Sequence, residues 1–150
     1  MTSARRLPEL RLSVQYPGGS RGAPSRPQVR RWLRASCTLP AEIAVRFVGG
    51  IEGQALNRDY RGKDYATNVL SFPYEAGERI CGDLVLCREV VEREAQEQGK
   101  TPEAHYAHMV VHGMLHLQGH DHEISCADAR RMEALERKIL SALGYGDPYL

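Results

Sequence analysis

The feature that most constrains this chain is a histidine-rich segment at residues 112–122, which reads HGMLHLQGHDH. All six histidines of the protein fall within 18 consecutive residues that contain it. On a helix with about 3.6 residues per turn, His112 and His116 stand one turn apart, close enough to bind one metal ion together. Gly119 can adopt the left-handed conformation that ends a helix, so the chain can turn and bring His122 back as a third ligand.

Three imidazoles at this spacing predict a site for one Zn²⁺ ion, held by His112, His116 and His122. Three protein ligands leave one tetrahedral position open, which is the pattern of a catalytic site and not of a closed structural one. The same spacing occurs in zinc peptidases as HExxHxxGxxH, in which the Glu is the general base. Gly113 stands at that position here, so the sequence argues against a peptidase of that mechanism.

Other residues near the segment are candidates for supporting roles. His105 and His108 are expected to contact the ligands or to lie at the surface, and His120 to reach solvent, substrate or a phosphate. Asp121 is expected to orient a ligand imidazole or to form hydrogen bonds within its loop. The four cysteines form no CxxC pair, so we expect buried, reduced thiols. Cys126 is a minor candidate for approaching the metal.

Hydrophobic periodicity predicts nine elements in the order β α β α β β α α α. Residues 10–16 alternate apolar and polar side chains like a half-buried strand, and residues 27–37 carry apolar side chains at helical spacing. A strand within residues 41–50 follows that helix, so the two strands are expected to be parallel. Residues 51–60 are predicted as a short helix. Its expected inward-facing residues are Ile51, Ala55 and Leu56.

The second half of the chain is predicted to begin with two adjacent antiparallel strands at residues 66–74 and 82–87, the first of them closed by Pro73. Three helices are predicted after these strands. Their ends are marked by N-cap residues, by a proline at the first helical position and by terminal glycines. They are expected at residues 88–98, from Thr101 to about Gln118, and after Ser125.

This order indicates an α+β fold, with a small mixed four-stranded sheet, about five helices and a zincin-like histidine helix. Residues 1–150 are expected to form a single domain, because the length is that of one ordinary domain. No run approaches the roughly 18 apolar residues of a membrane helix, and the first residues lack the apolar core of a signal peptide. We therefore expect a cytoplasmic protein without membrane contact.

Arginine is concentrated at one end of the chain. The first 50 residues contain nine Arg and two Glu, whereas the other 100 contain eleven basic and seventeen acidic side chains. Because Arg binds phosphate in bidentate fashion, this end is a candidate surface for a polyanion, and a merely solvated face with a loose terminus is the alternative. The arginines concerned are Arg5, Arg6, Arg11, Arg21, Arg26, Arg30, Arg31 and Arg34.

Three blocks of the sequence resemble the bacterial YbeY family. HGMLHLQGHDH is similar to the family's HGxLHLxGYDH signature, and LNRDYRGKDYATNVLSFPY, at residues 56–74, to its LNxxYRxxDxxTDVLSFP-like block. CGDLVLC is similar to its GDI-type strand. The blocks lie in family order and, with the helices between them, cover roughly residues 40–145.

The resemblance implies a single-domain α+β fold with zinc held by His112, His116 and His122, and an Arg lining the same cleft, here Arg61. It implies a metal-dependent endoribonuclease of 16S rRNA 3′-end maturation and ribosome quality control, with Arg61 and His116 as catalytic residues. Ribosomal RNA and the ribosome or its small-subunit assembly factors are the implied partners.

Two positions depart from the family pattern, and a third position, Arg61, keeps two interpretations. His120 stands where the family usually has Tyr, and Asn68 where many members have Asp, which weakens any proposal of a carboxylate base there. From the residues alone, Arg61 either neutralises charge during phosphodiester hydrolysis or forms a surface ion pair with Asp59 or Asp64.

Two other functions stay open at this point. One is a zinc metallopeptidase-like hydrolase, and the other is a ribosome-assembly binding protein whose zinc is structural. Lys63 is a weaker phosphate-binding candidate. Several aromatic residues are candidates for stacking on unpaired bases, although Phe72 has the spacing of a core residue. They are Tyr60, Tyr65, Phe72 and Tyr74.

Overall fold

The structure is a computed structural model that describes residues 7–75, 77–120 and 125–150. Within these residues the elements follow the predicted order. The strands are β1 (Leu10–Gln15), β2 (Ala41–Val48), β3 (Val69–Tyr74) and β4 (Ile80–Cys87). The helices are α1 (Arg26–Ser36), α2 (Gly50–Arg61), α3 (Arg88–Glu97), α4 (Pro102–Leu117) and α5 (Cys126–Leu143).

The four strands form one mixed sheet in the order β1-β2-β4-β3. β1 and β4 both pair parallel with β2, whereas β3 pairs antiparallel with β4. The predicted parallel pair, the predicted antiparallel pair and the α+β class are therefore confirmed. α1 makes the crossover between the parallel strands β1 and β2, as expected for strands that a tight turn cannot join.

The larger hydrophobic core lies between one face of the sheet and α1, α4 and α5. Trp32 of α1, Phe47 of β2 and Tyr106 of α4 are almost fully buried there. The rings of Phe47 and Tyr106 meet edge to face, with centroids 5.7 Å apart. Eleven of the 16 residues of α4 are buried, so this helix is held on several sides and its side chains have fixed positions.

A smaller core on the opposite face lies under α2, and it corrects one prediction. Leu56 packs against this core, but Ile51 is 90% exposed and does not face inward. The buried positions of α2 are Gly53 and Asn57. A Cβ at Gly53 would lie 3.2 Å from the Cys87 side chain, so the helix approaches the sheet along its glycine and turns Ile51 towards solvent.

α4 makes its closest approach to the sheet at Gly113. A Cβ at this residue would lie 2.8 Å from Cδ2 of Leu84, 3.2 Å from Oγ of Ser71 and 3.3 Å from Cγ2 of Val69. The Ser71 hydroxyl donates a hydrogen bond to the Gly113 carbonyl at 3.4 Å. The position at which zinc peptidases carry their general base is therefore filled by the sheet.

β3 is an edge strand whose outer side offers few backbone donors for pairing. The Asn68 carbonyl accepts a hydrogen bond from the Cys87 N–H, so antiparallel alternation turns the main-chain groups of Val69, Ser71 and Pro73 outward. The Val69 N–H is taken by Oδ1 of Asn68 at 2.7 Å, and Pro73 has no N–H. Pro73 is the residue before the last of the strand, close to the end that the sequence predicts, and proline is allowed at a sheet edge.

All four cysteines are free thiols. Cys37 and Cys87 are buried and Cys81 is partly buried, but Cys126 is exposed, so the expectation of burial is wrong for this last residue. Cys126 occupies the first turn of α5, where the helix end meets solvent. No helix in the described ranges has both the length and the apolar character that crossing a membrane requires.

We predict that Gly113→Ala destabilises the protein, although Ala is the better helix former. Helix propensity favours Ala by about 1 kcal/mol, whereas overpacking a core typically costs about 1–3 kcal/mol. The expected net result is a lower free energy of unfolding, measured by urea denaturation. Gly18→Ala is the matched control, because nothing lies within 4 Å of a Cβ at that residue. A Gly113→Ala protein as stable as wild type would contradict the packing argument.

Candidate functional site

The histidine helix α4 begins and ends as the sequence predicts. Thr101 is its N-cap, with a hydroxyl that accepts a hydrogen bond from the Ala104 N–H at 3.1 Å. Pro102 occupies the first helical position. After the helix, Gly119 has a φ of 93°, the left-handed conformation expected at a helix end. The chain therefore leaves the helix direction at Gly119, three residues after His116.

His112 and His116 lie next to each other on α4. Their ring centroids are 4.8 Å apart, at an interplanar angle of 71°. Both side chains line a cleft of about 600 Å³ that is bounded by β3, α4 and α5. The structure thus brings two of the three predicted metal ligands together. The third, His122, lies outside the described residues, as does Asp121.

Arg61 and Lys63 line the same cleft. The positions of these two side chains depend on where α2 ends and on how the segment after it is anchored. The side-chain amide of Asn57, which is fully buried, donates to the Tyr65 carbonyl at 2.7 Å. This hydrogen bond fixes the segment after α2, so two basic side chains share the cleft with the histidine pair.

The alternative interpretation of Arg61 was an ion pair with Asp59 or Asp64. In the structure, Arg58 lies 3.4 Å from Asp59 and 4.0 Å from Asp64. Both carboxylates therefore have Arg58 as a cationic neighbour on the outer side of α2. Arg61 itself lines the cleft wall.

Glu136 of α5 is a residue of this site that the sequence analysis missed. Its side chain is 1% exposed. Oε1 accepts hydrogen bonds from Nε2 of His108 at 2.8 Å and from Nδ1 of His112 at 3.0 Å. Oε2 accepts a third hydrogen bond, from the Tyr149 hydroxyl at 2.8 Å. His108 is consequently a buried neighbour of the predicted ligand His112 and not a surface group.

Glu136 is held ionised inside the protein. Burial acts to raise its pKa, but the hydrogen bonds and charges of His108 and His112 outweigh burial and lower the pKa to about 2. One sequence signal for this residue exists. Glu136 lies four residues after Met132 and four before Leu140, both of them buried, and therefore on the inward stripe of α5.

The described side chains fit a metal site with imidazole ligands. A carboxylate that binds Nδ1–H of a histidine fixes its ring and leaves coordination to Nε2, as in many metal centres, and Glu136 makes this hydrogen bond to His112. His116 lies one helical turn away. Within residues 7–75, 77–120 and 125–150, no group of three His, Cys, Asp or Glu side chains is placed to hold one ion. These ranges therefore contribute two of the three predicted ligands.

A second buried histidine connects the cleft to α3. His105 is 2% exposed, and its Nε2 lies 2.9 Å from Oε1 of Glu94. The Asn68 amide donates to the same carboxylate at 3.1 Å. Burial lowers the pKa of His105, and the hydrogen bond to Glu94 opposes this effect. A surface position for His105 is thus wrong, and Asn68, which lines the cleft, is oriented by Glu94.

His120 belongs to a different part of the surface. It is exposed and lines a second depression together with Arg131 and Lys138. Its main-chain N–H donates to the Leu115 carbonyl at 3.1 Å. The structure therefore does not bring the His120 side chain into the cleft of the histidine pair.

The aromatic candidates also separate into two groups. Tyr65 lines the cleft and is 54% exposed, as stacking on a base requires. Tyr60 instead packs edge to face on Phe72, with centroids 5.2 Å apart, and the Tyr74 hydroxyl donates to a carboxylate at 2.7 Å. Phe72 packs against the smaller core, as its spacing predicts.

The arginines of the amino-terminal end have mixed environments. Arg30, Arg31 and Arg34 of α1 donate to main-chain carbonyls, which are neutral. In the part of the chain that the structure describes, no carboxylate forms an ion pair with them. Arg11 instead lies 2.6 Å from the Glu9 carboxylate. Arg5 and Arg6 lie outside the described residues. α1 therefore presents a basic face, whereas β1 does not.

Comparison with known proteins places this site in a family context. The model of the family described as Endoribonuclease YbeY matches residues 26–144. An Endoribonuclease YbeY of Methylibium petroleiphilum is 59% identical over 143 residues, which is 95% of this chain and 95% of that protein. One from Aromatoleum aromaticum is 56% identical and covers 93% of this chain and 92% of its own length. The solution structure of TM1509 from Thermotoga maritima matches with a TM-score of 0.61 and 25% identity, covering 87% of each chain.

We predict that Glu136→Ala lowers the free energy of unfolding by about 2–3 kcal/mol, because it leaves buried imidazole and hydroxyl donors without their acceptor. Urea denaturation of the metal-free protein measures this change. Glu97→Ala is the control, since Glu97 is an exposed helix residue and surface substitutions usually change stability by less than about 0.5 kcal/mol. Equal stability of the two variants would count against a structural role for Glu136.

Proposed function

This chain belongs to the YbeY family, and from that membership we propose that it is an endoribonuclease that hydrolyses single-stranded RNA with one bound zinc ion. The observation that carries the proposal is one cleft that contains Arg61, Lys63 and the adjacent imidazoles of His112 and His116. The description of the relatives as endoribonucleases supports the same activity.

Each side chain of the cleft has a task that its chemistry allows. His112 and His116 would hold zinc, together with His122, and Glu136 would keep His112 in the tautomer that coordinates through Nε2. When bound, zinc supplies Lewis acidity towards a phosphoryl oxygen. Arg61 would stabilise the negative charge that develops on the phosphate in the transition state, because its guanidinium donates in bidentate fashion to two oxygens.

The cleft also suits an unpaired strand. Lys63 would contact a neighbouring phosphate, and Tyr65 offers an exposed ring on which a splayed base can stack. We propose the 3′ end of 16S rRNA as the substrate and the ribosome or its small-subunit assembly factors as partners, as the family resemblance implies, with action in the cytoplasm and a role in ribosome quality control.

The peptidase alternative is disfavoured by the packing of Gly113. Leu84, Ser71 and Val69 lie within 3.3 Å of a Cβ there, so the glutamate that a zinc peptidase uses as its base would overpack the contact between α4 and the sheet. A ribosome-binding protein with structural zinc stays as the second alternative. If that alternative holds, a cleavage-deficient variant still co-sediments with ribosomes and fully restores rRNA processing in cells.

We predict that Arg61→Ala reduces cleavage of labelled single-stranded RNA by about 10²–10³-fold, the effect of removing one donor to transition-state charge. The variant is expected to keep its zinc content and its fold. Arg58→Ala is the matched control, because it removes the same charge from the exposed side of the same helix. Equal activity of the two variants would exclude a direct role for Arg61.

We predict that His116→Ala loses both its zinc and its RNA cleavage. Neither wild type nor the variant is expected to cleave casein. Metal content is measured on freshly purified protein, and cleavage on the same preparation. RNA cleavage that persists unchanged in His116→Ala would point to a contaminating nuclease and defeat the metal-dependent proposal. Casein cleavage that depends on His116 would favour the peptidase alternative.

We predict that the basic face of α1 contributes to RNA binding. If so, replacing Arg30 and Arg34 by Gln lowers the slope of log affinity against log salt by about 0.7 per lost phosphate contact with a single strand. Fluorescence anisotropy with an uncleavable RNA measures the slope. The control replaces Arg93 and Arg130 by Gln, which changes the net charge equally outside the amino-terminal end. Equal slopes for the two double variants would assign α1 to the solvated surface.

A further inference from the structure

The C-terminal tail, residues 145–150, is held beside the cleft by one side chain of the loop between α3 and α4 and one of α5. Lys100, which precedes α4, donates from Nζ to a tail carbonyl at 2.9 Å. Arg137 of α5 lies 3.1 Å from the Asp147 carboxylate. The same carboxylate accepts a hydrogen bond from the Tyr149 N–H at 2.8 Å. These contacts give the tail a defined position against α5.

Tyr149 is the tail residue that reaches the site. Its hydroxyl donates to Oε2 of Glu136 at 2.8 Å, and its ring packs edge to face on His108, with centroids 5.4 Å apart. The guanidinium carbon of Arg137 lies over the Tyr149 ring, 5.1 Å from its centroid, which is a cation–π contact. Tyr149 also lines the cleft and is 39% exposed. One end of this side chain is therefore inside the buried network and the ring borders the substrate space.

We propose that Tyr149 is a positioning residue that fixes the Glu136 carboxylate and, through it, the ring of His112. Oε1 of Glu136 must accept from two imidazoles at once, which is possible only for a narrow range of carboxylate rotations. The hydrogen bond from Tyr149 to Oε2 restricts that rotation. The inference rests on the proposed role of His112 as a metal ligand.

The tail contains a second tyrosine whose contacts lie elsewhere. The Tyr145 hydroxyl donates to the Glu103 carboxylate at 2.7 Å and accepts from Nε1 of Trp32 at 3.2 Å. These partners belong to the first turn of α4 and to α1, away from Glu136. Tyr145→Phe therefore removes one tail hydroxyl without touching the network, and it is the matched control for Tyr149→Phe.

The experiment compares wild type, Tyr149→Phe, Tyr145→Phe and a chain truncated after Pro148. Zinc affinity is measured by competition with a chelator, and the tautomer of His112 by ¹⁵N NMR of the imidazoles in the metal-free protein. Urea denaturation verifies that all four proteins are folded. The truncated chain keeps the Lys100 contact with the Pro148 carbonyl and the ion pair between Arg137 and Asp147. It removes the Tyr149 side chain together with the hydrogen bond from the Tyr149 N–H to Asp147.

Tyr149→Phe is expected to weaken zinc binding by up to about tenfold, the lower end of the effect of losing a direct partner of a metal ligand, because Tyr149 acts on His112 through Glu136. The same variant is expected to lower the population of the His112 tautomer that carries the proton on Nδ1. The truncated chain is expected to show both changes. Tyr145→Phe is expected to behave like wild type in both measurements. Unchanged zinc affinity and tautomer in Tyr149→Phe, or equal losses in both tyrosine variants, would overturn the inference. Neither readout uses RNA, so failure of RNA cleavage alone bears on the proposed function and not on Tyr149.

Discussion

A carboxylate buried away from water is strongly unfavourable unless donors surround it, because its hydration is lost. Glu136 meets this requirement with hydrogen bonds from His108, His112 and Tyr149. These donors come from α4 and from the C-terminal tail, while the acceptor belongs to α5. The single charge therefore ties three separate parts of the chain to one point, and one of the rings that it holds, His112, also faces the cleft. Stability and site geometry depend here on the same atoms.

The distance between α4 and the sheet is set by a residue without a side chain. Gly113 lets the helix axis approach Val69, Ser71 and Leu84 more closely than any larger residue would allow. His112, its neighbour in sequence, is turned away from the sheet and into the cleft. The cleft wall on the β3 side is formed by the same strand that contacts Gly113. The position of the β3 wall of the cleft relative to α4 is consequently a result of core packing, and the same packing leaves little room for a larger side chain at residue 113.

Local sequence patterns predicted the strands, the helix caps at Thr101 and Ser125, the parallel pair and the adjacent imidazoles, because periodicity and capping act within a few residues. They failed for Ile51, since the inward face of α2 is decided by the fit of Gly53 against a side chain of β4. They also missed Glu136 and Tyr149. A glutamate in an amphipathic helix usually faces solvent, and its partner His112 is 24 residues distant in sequence, so only the tertiary structure brings the pair together.

The edge of β3 has a consequence for the behaviour of many copies of the protein together. An open edge beside a wide cleft would normally invite a strand from another chain and so begin aggregation. Here the Asn68 side chain covers one outward N–H and Pro73 lacks another, which leaves Ser71 as the outward position with a main-chain donor between them. A strand from a neighbouring molecule would find fewer main-chain donors here than at an ordinary sheet edge. The edge beside the cleft is thus a poorer template for intermolecular sheets than its exposure alone suggests.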